Sequence, residues 1–195
     1  MNIHTIILAA GEGSRMKSKR AKSLQRVGGK TMLEMICKTA GSISTKITLI
    51  VGFDKNSIIN ESKSFDFEIS ICEQASPIGT GDAVKCGINE VDDADKVLVL
   101  YGDVPLIKKE TLENLVSTDD KSLTILSTKV DNPFGYGRVK KDNDGNVTQI
   151  VEEKDASNAD KKISEIFTGI LCCNKVLLAE ALKEIKNDNA AGEYY

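Results

Sequence analysis

Alternating strands and helices predict an α/β protein, with a mostly parallel sheet covered on both faces, and three features of the sequence support that class. Apolar runs rich in Ile, Val and Leu recur at about residues 3–10, 46–51, 67–72, 96–101 and 122–129, each bounded by Gly, Asp, Asn or Ser, as buried strands are. Stretches of helical spacing separate them: 30–41 (Met32, Leu33, Ile36, Ala40), 79–89 (Ala83, Val84, Ile88) and 108–117 (Leu112, Leu115, Val116). The third feature is a change of pattern near the end. "GYGRVKKDNDGNVTQIVEEK" predicts two strands joined by a turn at "DNDG", a hairpin inserted into the alternation. "EIFTGILCCN" follows as a further strand and 175–185 as a helix. In a sheet of this class ligands bind at the carboxyl ends of the strands, where the strand order reverses, so the loops after the strands are the places to search.

Composition narrows the function. At 195 residues, with 41% hydrophobic and 28% charged side chains, the chain suits one soluble domain with a sizeable core. A net charge of -3 argues against a nucleic-acid binder acting through bulk charge. No window approaches the roughly 20 apolar residues of a membrane span. The five cysteines, Cys37, Cys72, Cys86, Cys172 and Cys173, form no CxxC pair; their odd number and the lack of a basic, apolar leader point to reduced thiols and a cytoplasmic protein. With His4 as the only histidine, a mixed zinc site of the usual kind and a histidine-based triad are both excluded. The segment "NDNAAGEYY" is loop-like and followed by no terminal element, so the domain, residues 1–195, is expected to be incomplete at its C-terminus.

The segment 7–30, "ILAAGEGSRMKSKRAKSLQRVGGK", carries the strongest local signal. A strand ending at Ala10 runs into Gly11 and Gly13, which let backbone N–H groups approach a phosphate with no Cβ in the way. Arg15, Lys17, Lys19, Arg20, Lys22, Arg26 and Lys30 follow, with no acid between residues 13 and 33, a distribution that suits a triphosphate. A solvated basic loop is the competing reading of the charges alone. A dinucleotide fingerprint fails because Met16 stands where the third glycine belongs, and a Walker A loop fails because Leu24 lies five residues before Gly29 of "GKT".

What does fit is the sugar-nucleotidyltransferase signature LxxGxGTxMxxxxPK, matched by Leu8, Gly11, Gly13, Ser14 in place of Thr, Met16, Ala21 in place of Pro, and Lys22. With "QASPIGTGDA" (74–83), "LYGDVPLI" (100–107), "NPFGYGRV" (132–139), "IVEEKDAS" (150–157), "TGIL" (168–171) and "NAAGEYY" (189–195), the chain resembles from end to end the uridylyltransferase domain of bacterial bifunctional N-acetylglucosamine-1-phosphate uridylyltransferases. None of the hexapeptide repeats of that family's acetyltransferase domain is present.

The resemblance implies a Rossmann-like three-layer nucleotidyltransferase fold and the substrates UTP and N-acetylglucosamine 1-phosphate. It places the nucleotide on Leu8, Ala9, Ala10, Gly11, Gly13, Lys22, Gln74, Gly79, Thr80, Tyr101, Gly102 and Asp103, with Arg15 and Lys22 on phosphate oxygens during catalysis. Gln74, as a carboxamide offering a donor and an acceptor, would meet the imide edge of uracil. Asp103, directly after a strand, would hold Mg²⁺, with a second ligand in a segment beyond residue 195. Gly137, Glu152 and Thr168 would contact the sugar phosphate. Taken alone, Gln74 also suits an exposed polar position, Asp103 a turn cap before Pro105, and Glu152 a charged strand end. Phe167 stands where the family carries a sugar-binding Asn, which leaves open another sugar 1-phosphate, another base, or a nucleotide-binding module with little turnover. Ala21 and Ser23 also depart from the family pattern, and loss of Pro frees the loop before Lys22.

Overall fold

A computed structural model describes residues 1–92, 94–118 and 122–195, with Arg15 described in its backbone only. The first strand, β1 (Ile3–Leu8), lies between β4 (Lys46–Val51) and β6 (Lys96–Tyr101), parallel to both, and β5 (Ile69–Glu73) extends the parallel set beyond β4. On the other side of β6 the sheet turns antiparallel through β10 (Glu165–Asn174), which pairs with β7 (Thr124–Lys129) and β8 (Arg138–Lys141), and β9 (Val147–Val151) closes the edge. Among the described residues these make one eight-stranded sheet of order β5-β4-β1-β6-β10-β8-β9, with β7 on β10. A two-stranded ribbon, β2 (Arg26–Val27) and β3 (Lys30–Thr31), stands apart.

Successive residues of a strand point to opposite faces, so each central strand feeds two cores. Ile7, Leu49, Leu98 and Leu100 pack beneath α1 (Met32–Gly41), α2 (Lys55–Ser62) and α4 (Lys109–Val116), through Leu33, Ile36, Ile58 and Leu112. Ile6, Leu8, Ile50, Val97 and Val99 pack beneath α3 (Thr80–Ile88) and α5 (Lys175–Glu184), through Ala83, Val84, Leu178 and Leu182. The result is three layers. Two helix starts carry side-chain caps: Thr31 Oγ1 accepts from the Glu34 amide at 3.1 Å, and Asn174 Oδ1 accepts from Val176 and Leu177. No helix of the described residues is long and apolar enough to cross a membrane.

The elements predicted from sequence are present, with three differences. The runs at 67–72 and 122–129 form strands, β5 and β7, that are half-exposed rather than buried, because β5 is a sheet edge and β7 branches off the main path. The helix α2 escapes the apolar pattern because "KNSIINES" buries only Ile58 and Ser62. The "GKT" glycine belongs to the turn of the β2–β3 ribbon, with Val27 opposite Lys30, which accounts for a P-loop look-alike in terms of a hairpin.

The chain passes from β1 to β4 to β5 in one direction and then crosses to β6 on the far side of β1. The strand order therefore reverses between β1 and β6, and the carboxyl ends of these two strands open a crevice.

Candidate active site

The crevice holds two contiguous cavities. The first, of about 440 Å³, is lined by Leu8, Ala9, Ala10, Gly11 and Gly13 from the end of β1, by Lys22 and Ser23, by Gln74 after β5, by Gly79 and Thr80 at the start of α3, and by Tyr101 and Asp103 after β6. The second, of about 980 Å³, includes Gly137, Glu152, Phe167 and Thr168 and shares Lys22, Thr80, Tyr101 and Asp103 with the first. Every site residue expected from sequence lines one cavity or the other, with two exceptions. Gly102 lies in the wall behind them, its amide donating to Leu8 O at 2.9 Å, and the side chain of Arg15 lies outside what the structure describes.

Backbone pairing fixes the strand ends that carry these residues. Ala9 donates to Ile50 O, Phe53 to Ala10 O and Gln74 to Val51 O, at 2.9 to 3.0 Å, so the loops leave the sheet already zipped together. Gly13 adopts φ 64°, and a Cβ there would meet Lys22 Cβ at 2.8 Å; glycine is needed both for the left-handed turn and for room beside the lysine. Ala21, in place of proline, is fully buried with φ −51°, and its N–H donates to Asp54 Oδ2 at 3.1 Å. The loop is thus tied down through the very N–H that a proline would lack.

The basic run does not converge on one ligand. Lys22 Nζ pairs with Asp103 Oδ2, the two charges that line both cavities. Arg20 and Arg26 instead lie 3.8 and 3.9 Å from the Glu61 carboxylate on α2, and Lys30 pairs with Glu34 at 2.7 Å. Lys17 and Lys19 are exposed. The counter-charges come from residues distant in sequence or just beyond the basic segment, so a count of local charge overstates what a triphosphate would meet.

Gln74 is buried beneath the turn at Gly79. Gly79 has φ 131°, and a Cβ on it would collide with the backbone of Tyr194, whose amide donates to Ile78 O at 2.9 Å and whose carbonyl accepts from Gly81 at 2.8 Å. The N–H groups of Gly79 and Thr80, at the open start of α3, have no partner among the described residues. Tyr101 lines both cavities beside Thr80, and burial foremost pushes its phenol above the usual range.

The second cavity is organised by a buried cation. The Arg138 side chain is 2% exposed; it donates to Tyr136 O and, at 2.7 Å, to Glu153 Oε2, which also accepts from the Gly135 amide at 3.1 Å. That arrangement holds the loop before β8 against the end of β9. Glu152, next in the chain, faces the cavity, and a Cβ on Gly137 would meet its Oε1 at 2.8 Å. Burial, then nearby Asp155, pushes the Glu152 carboxyl up. The Thr168 hydroxyl is committed to Leu126 O at 2.7 Å, across a register shift of β10, which leaves its backbone and methyl for a ligand. The roles of Arg138 and Glu153 went unrecognised in the sequence, where "GYGR" and "EEK" carry no local sign that they meet.

Residues 5–188 match the model of the MobA-like NTP transferase domain. The chain belongs to that family. It is 44% identical over 98% of its length to the bifunctional protein GlmU of Psychrobacter sp. (strain PRwf-1), 44% identical over its full length to that of Alcanivorax borkumensis, and 42% to that of Clostridioides difficile. It spans 42 to 43% of the length of these relatives. The fold is also that of the crystal structure of HddC from Yersinia pseudotuberculosis, with a TM-score of 0.66 at 23% identity, covering 91% of this chain and 79% of that one.

Proposed function

We propose that the protein transfers a uridylyl group from UTP to N-acetylglucosamine 1-phosphate, yielding UDP-N-acetylglucosamine and pyrophosphate, a cytoplasmic step in the supply of cell-wall precursor. The observation that carries this reading is the pair of contiguous cavities meeting at Lys22, Thr80, Tyr101 and Asp103, one walled by a glycine loop and the other by Glu152. The phosphate oxygen of the sugar 1-phosphate attacks the α-phosphorus of UTP, and the bond to the departing pyrophosphate breaks in line. No covalent enzyme intermediate is needed; catalysis is positioning and charge neutralisation.

In this reading the Lys22–Asp103 pair keeps both charges matched until substrate arrives. Lys22 then transfers its Nζ to phosphate oxygens, where a charge-assisted contact strengthens as negative charge shifts to pyrophosphate. A magnesium ion fits Asp103: its carboxylate lines the first cavity, where the buried hydroxyl of Ser23, lining the same cavity, is without a partner. That donor set suits an ion held chiefly by water and substrate phosphates. Asp103 would hold it, and the ion would neutralise phosphate charge.

Pyrophosphate release measured with UTP, Mg²⁺ and N-acetylglucosamine 1-phosphate tests the reading. Release that requires all three is the expected result; release with a different nucleotide but none with UTP would overturn it. A second acceptor is favoured by one observation. Phe167, whose ring cannot hydrogen-bond a sugar, lines the larger cavity, so a sugar 1-phosphate with an apolar edge at that position is the alternative, and a panel of sugar 1-phosphates in the same assay separates the two.

A further inference from the structure

Sequence suggests that Gln74 meets the base with a donor and an acceptor, but its donors are already spent. Nε2 donates to Gly79 O at 3.1 Å and to Asp82 Oδ2 at 2.8 Å. A carbonyl and a carboxylate are acceptors only, so the amide must turn its nitrogen toward them; chemistry fixes an orientation that would otherwise be a choice between two near-identical ends. The remaining polar atom, Oε1, has no partner among the described residues, and Gln74 lines the first cavity. We infer that Asp82 is a positioning residue that sets base selectivity: by holding Gln74 through its N–H groups it leaves the cleft a bare acceptor, which suits a ring N–H and rejects a ring nitrogen lone pair.

This rests on the uridylyl reading above, and it sharpens it. Uracil presents N3–H between two carbonyls, and the free N–H groups of Gly79 and Thr80 are donors available to those carbonyls. Cytosine presents a lone pair at N3, which would face Oε1 with neither partner able to donate. A site that hydrogen-bonds one polar edge rejects the wrong one by leaving its groups unpaired. Asp82 stands in the first turn of α3, where any acid interacts favourably with the helix dipole. That ordinary role touches stability and predicts no change in the choice between bases.

The test titrates UTP and CTP, each with Mg²⁺, into the wild-type protein, Asp82→Ala and Asp82→Asn, and follows the side-chain amide signals of Gln74 by ¹⁵N-resolved proton exchange. In the wild type, UTP is preferred and the Gln74 amide protons exchange slowly. In Asp82→Ala the UTP-over-CTP ratio falls about tenfold or more and the amide protons exchange quickly. Asp82→Asn, which keeps a carbonyl able to accept, falls less and covers the case in which the alanine variant folds poorly. An unchanged ratio, or equal weakening of both nucleotides, overturns the inference. A wild type indifferent to UTP and CTP overturns the uridylyl reading instead; in that case slow Gln74 exchange lost in Asp82→Ala still supports the positioning role, and exchange unaltered by the substitution removes it.

Discussion

The two halves of the cleft are built by different means. The half proposed for the nucleotide sits on the parallel core, where residues leaving β1, β5 and β6 are locked by backbone hydrogen bonds between neighbouring strands. The half proposed for the sugar phosphate sits on the antiparallel extension, and its shape depends on side chains that cross between elements, above all Arg138 to Glu153 and Thr168 to Leu126. The first is a property of short motifs placed at strand ends. The second is a property of tertiary packing, and it should fail separately.

The largest effect is expected where that packing is most concentrated. Arg138→Met removes the buried donor shared by Glu153 and the carbonyl of Tyr136, and should lower Tm by several degrees, since Glu153 is only partly buried and keeps the Gly135 amide while a chain of this size loses a few degrees per kcal/mol. Sugar 1-phosphate affinity should disappear while UTP affinity stays within about threefold, because neither Arg138 nor Glu153 lines the nucleotide cavity and well-separated sites act independently. A parallel fall of both affinities would show that the halves form one unit.

Lys22→Ala is expected to act next most strongly, and in the opposite half. Removing a charge-assisted phosphate interaction worth about 1.5 to 3 kcal/mol should weaken UTP binding by about tenfold or more, with Tm nearly unchanged because Lys22 is not part of the core. Equal UTP affinity in variant and parent takes Lys22 out of the site.

A smaller, pH-dependent difference should follow from Glu152. Burial raises its carboxyl above the ordinary 4.5, so the ionised acceptor for sugar hydroxyls is present in full only above that raised value and is lost as pH falls through it. Sugar 1-phosphate affinity should therefore begin to drop at a higher pH than an ordinary glutamate would impose. Stability runs the other way: the folded state binds this proton more tightly than the unfolded chain, so the group's contribution to folding improves on acidification. Comparing titrations of the wild type with Glu152→Gln cancels the ligand's own ionisation, and identical pH profiles would remove Glu152 from the sugar site.

The smallest effect concerns the loop that precedes Lys22. Ala21→Pro suits the observed φ of −51° and reduces the freedom of the unfolded chain, but it deletes the N–H held by Asp54, so the net change should stay within about 1 kcal/mol. Asp54→Gly, which removes the carboxylate while suiting the left-handed backbone of that position (φ 54°), should destabilise the parent more than the proline variant; equal losses in both, read by denaturant unfolding, would mean that Asp54 stabilises the loop by another route.

These contrasts also explain what could be foreseen. The strands β1, β4, β6 and β10 were legible because long apolar runs bounded by polar residues have few alternatives; Asp103, Gly79 and Gln74 were singled out by resemblance to family motifs, and the structure brings them to the lining of one cavity. The helix α2 was not, since one buried isoleucine gives no period. Nor was the β2–β3 ribbon, whose strands are two residues each. The basic segment misled for the opposite reason: its charges are visible locally, whereas Glu61 and Asp103, which neutralise three of them, are far along the chain. Asp82 resembled a routine helix-start acid, and only its distance to Gln74 gives it a further task.

Tyr101 lies on the seam between the halves. Its side chain lines both cavities beside Thr80, and its ring fills the space that a Cβ on Gly169, within β10, would occupy. If the two proposed substrates occupy the cavities that share Tyr101, displacement of its ring by one changes the room at β10 for the other, and their affinities are expected to be coupled. Linkage is reciprocal: whatever factor UTP applies to the affinity for the sugar phosphate, the sugar phosphate must return to UTP. Titrating each substrate with and without the other reads that factor, and Tyr101→Leu, which removes the ring packed against Gly169, should bring it toward one.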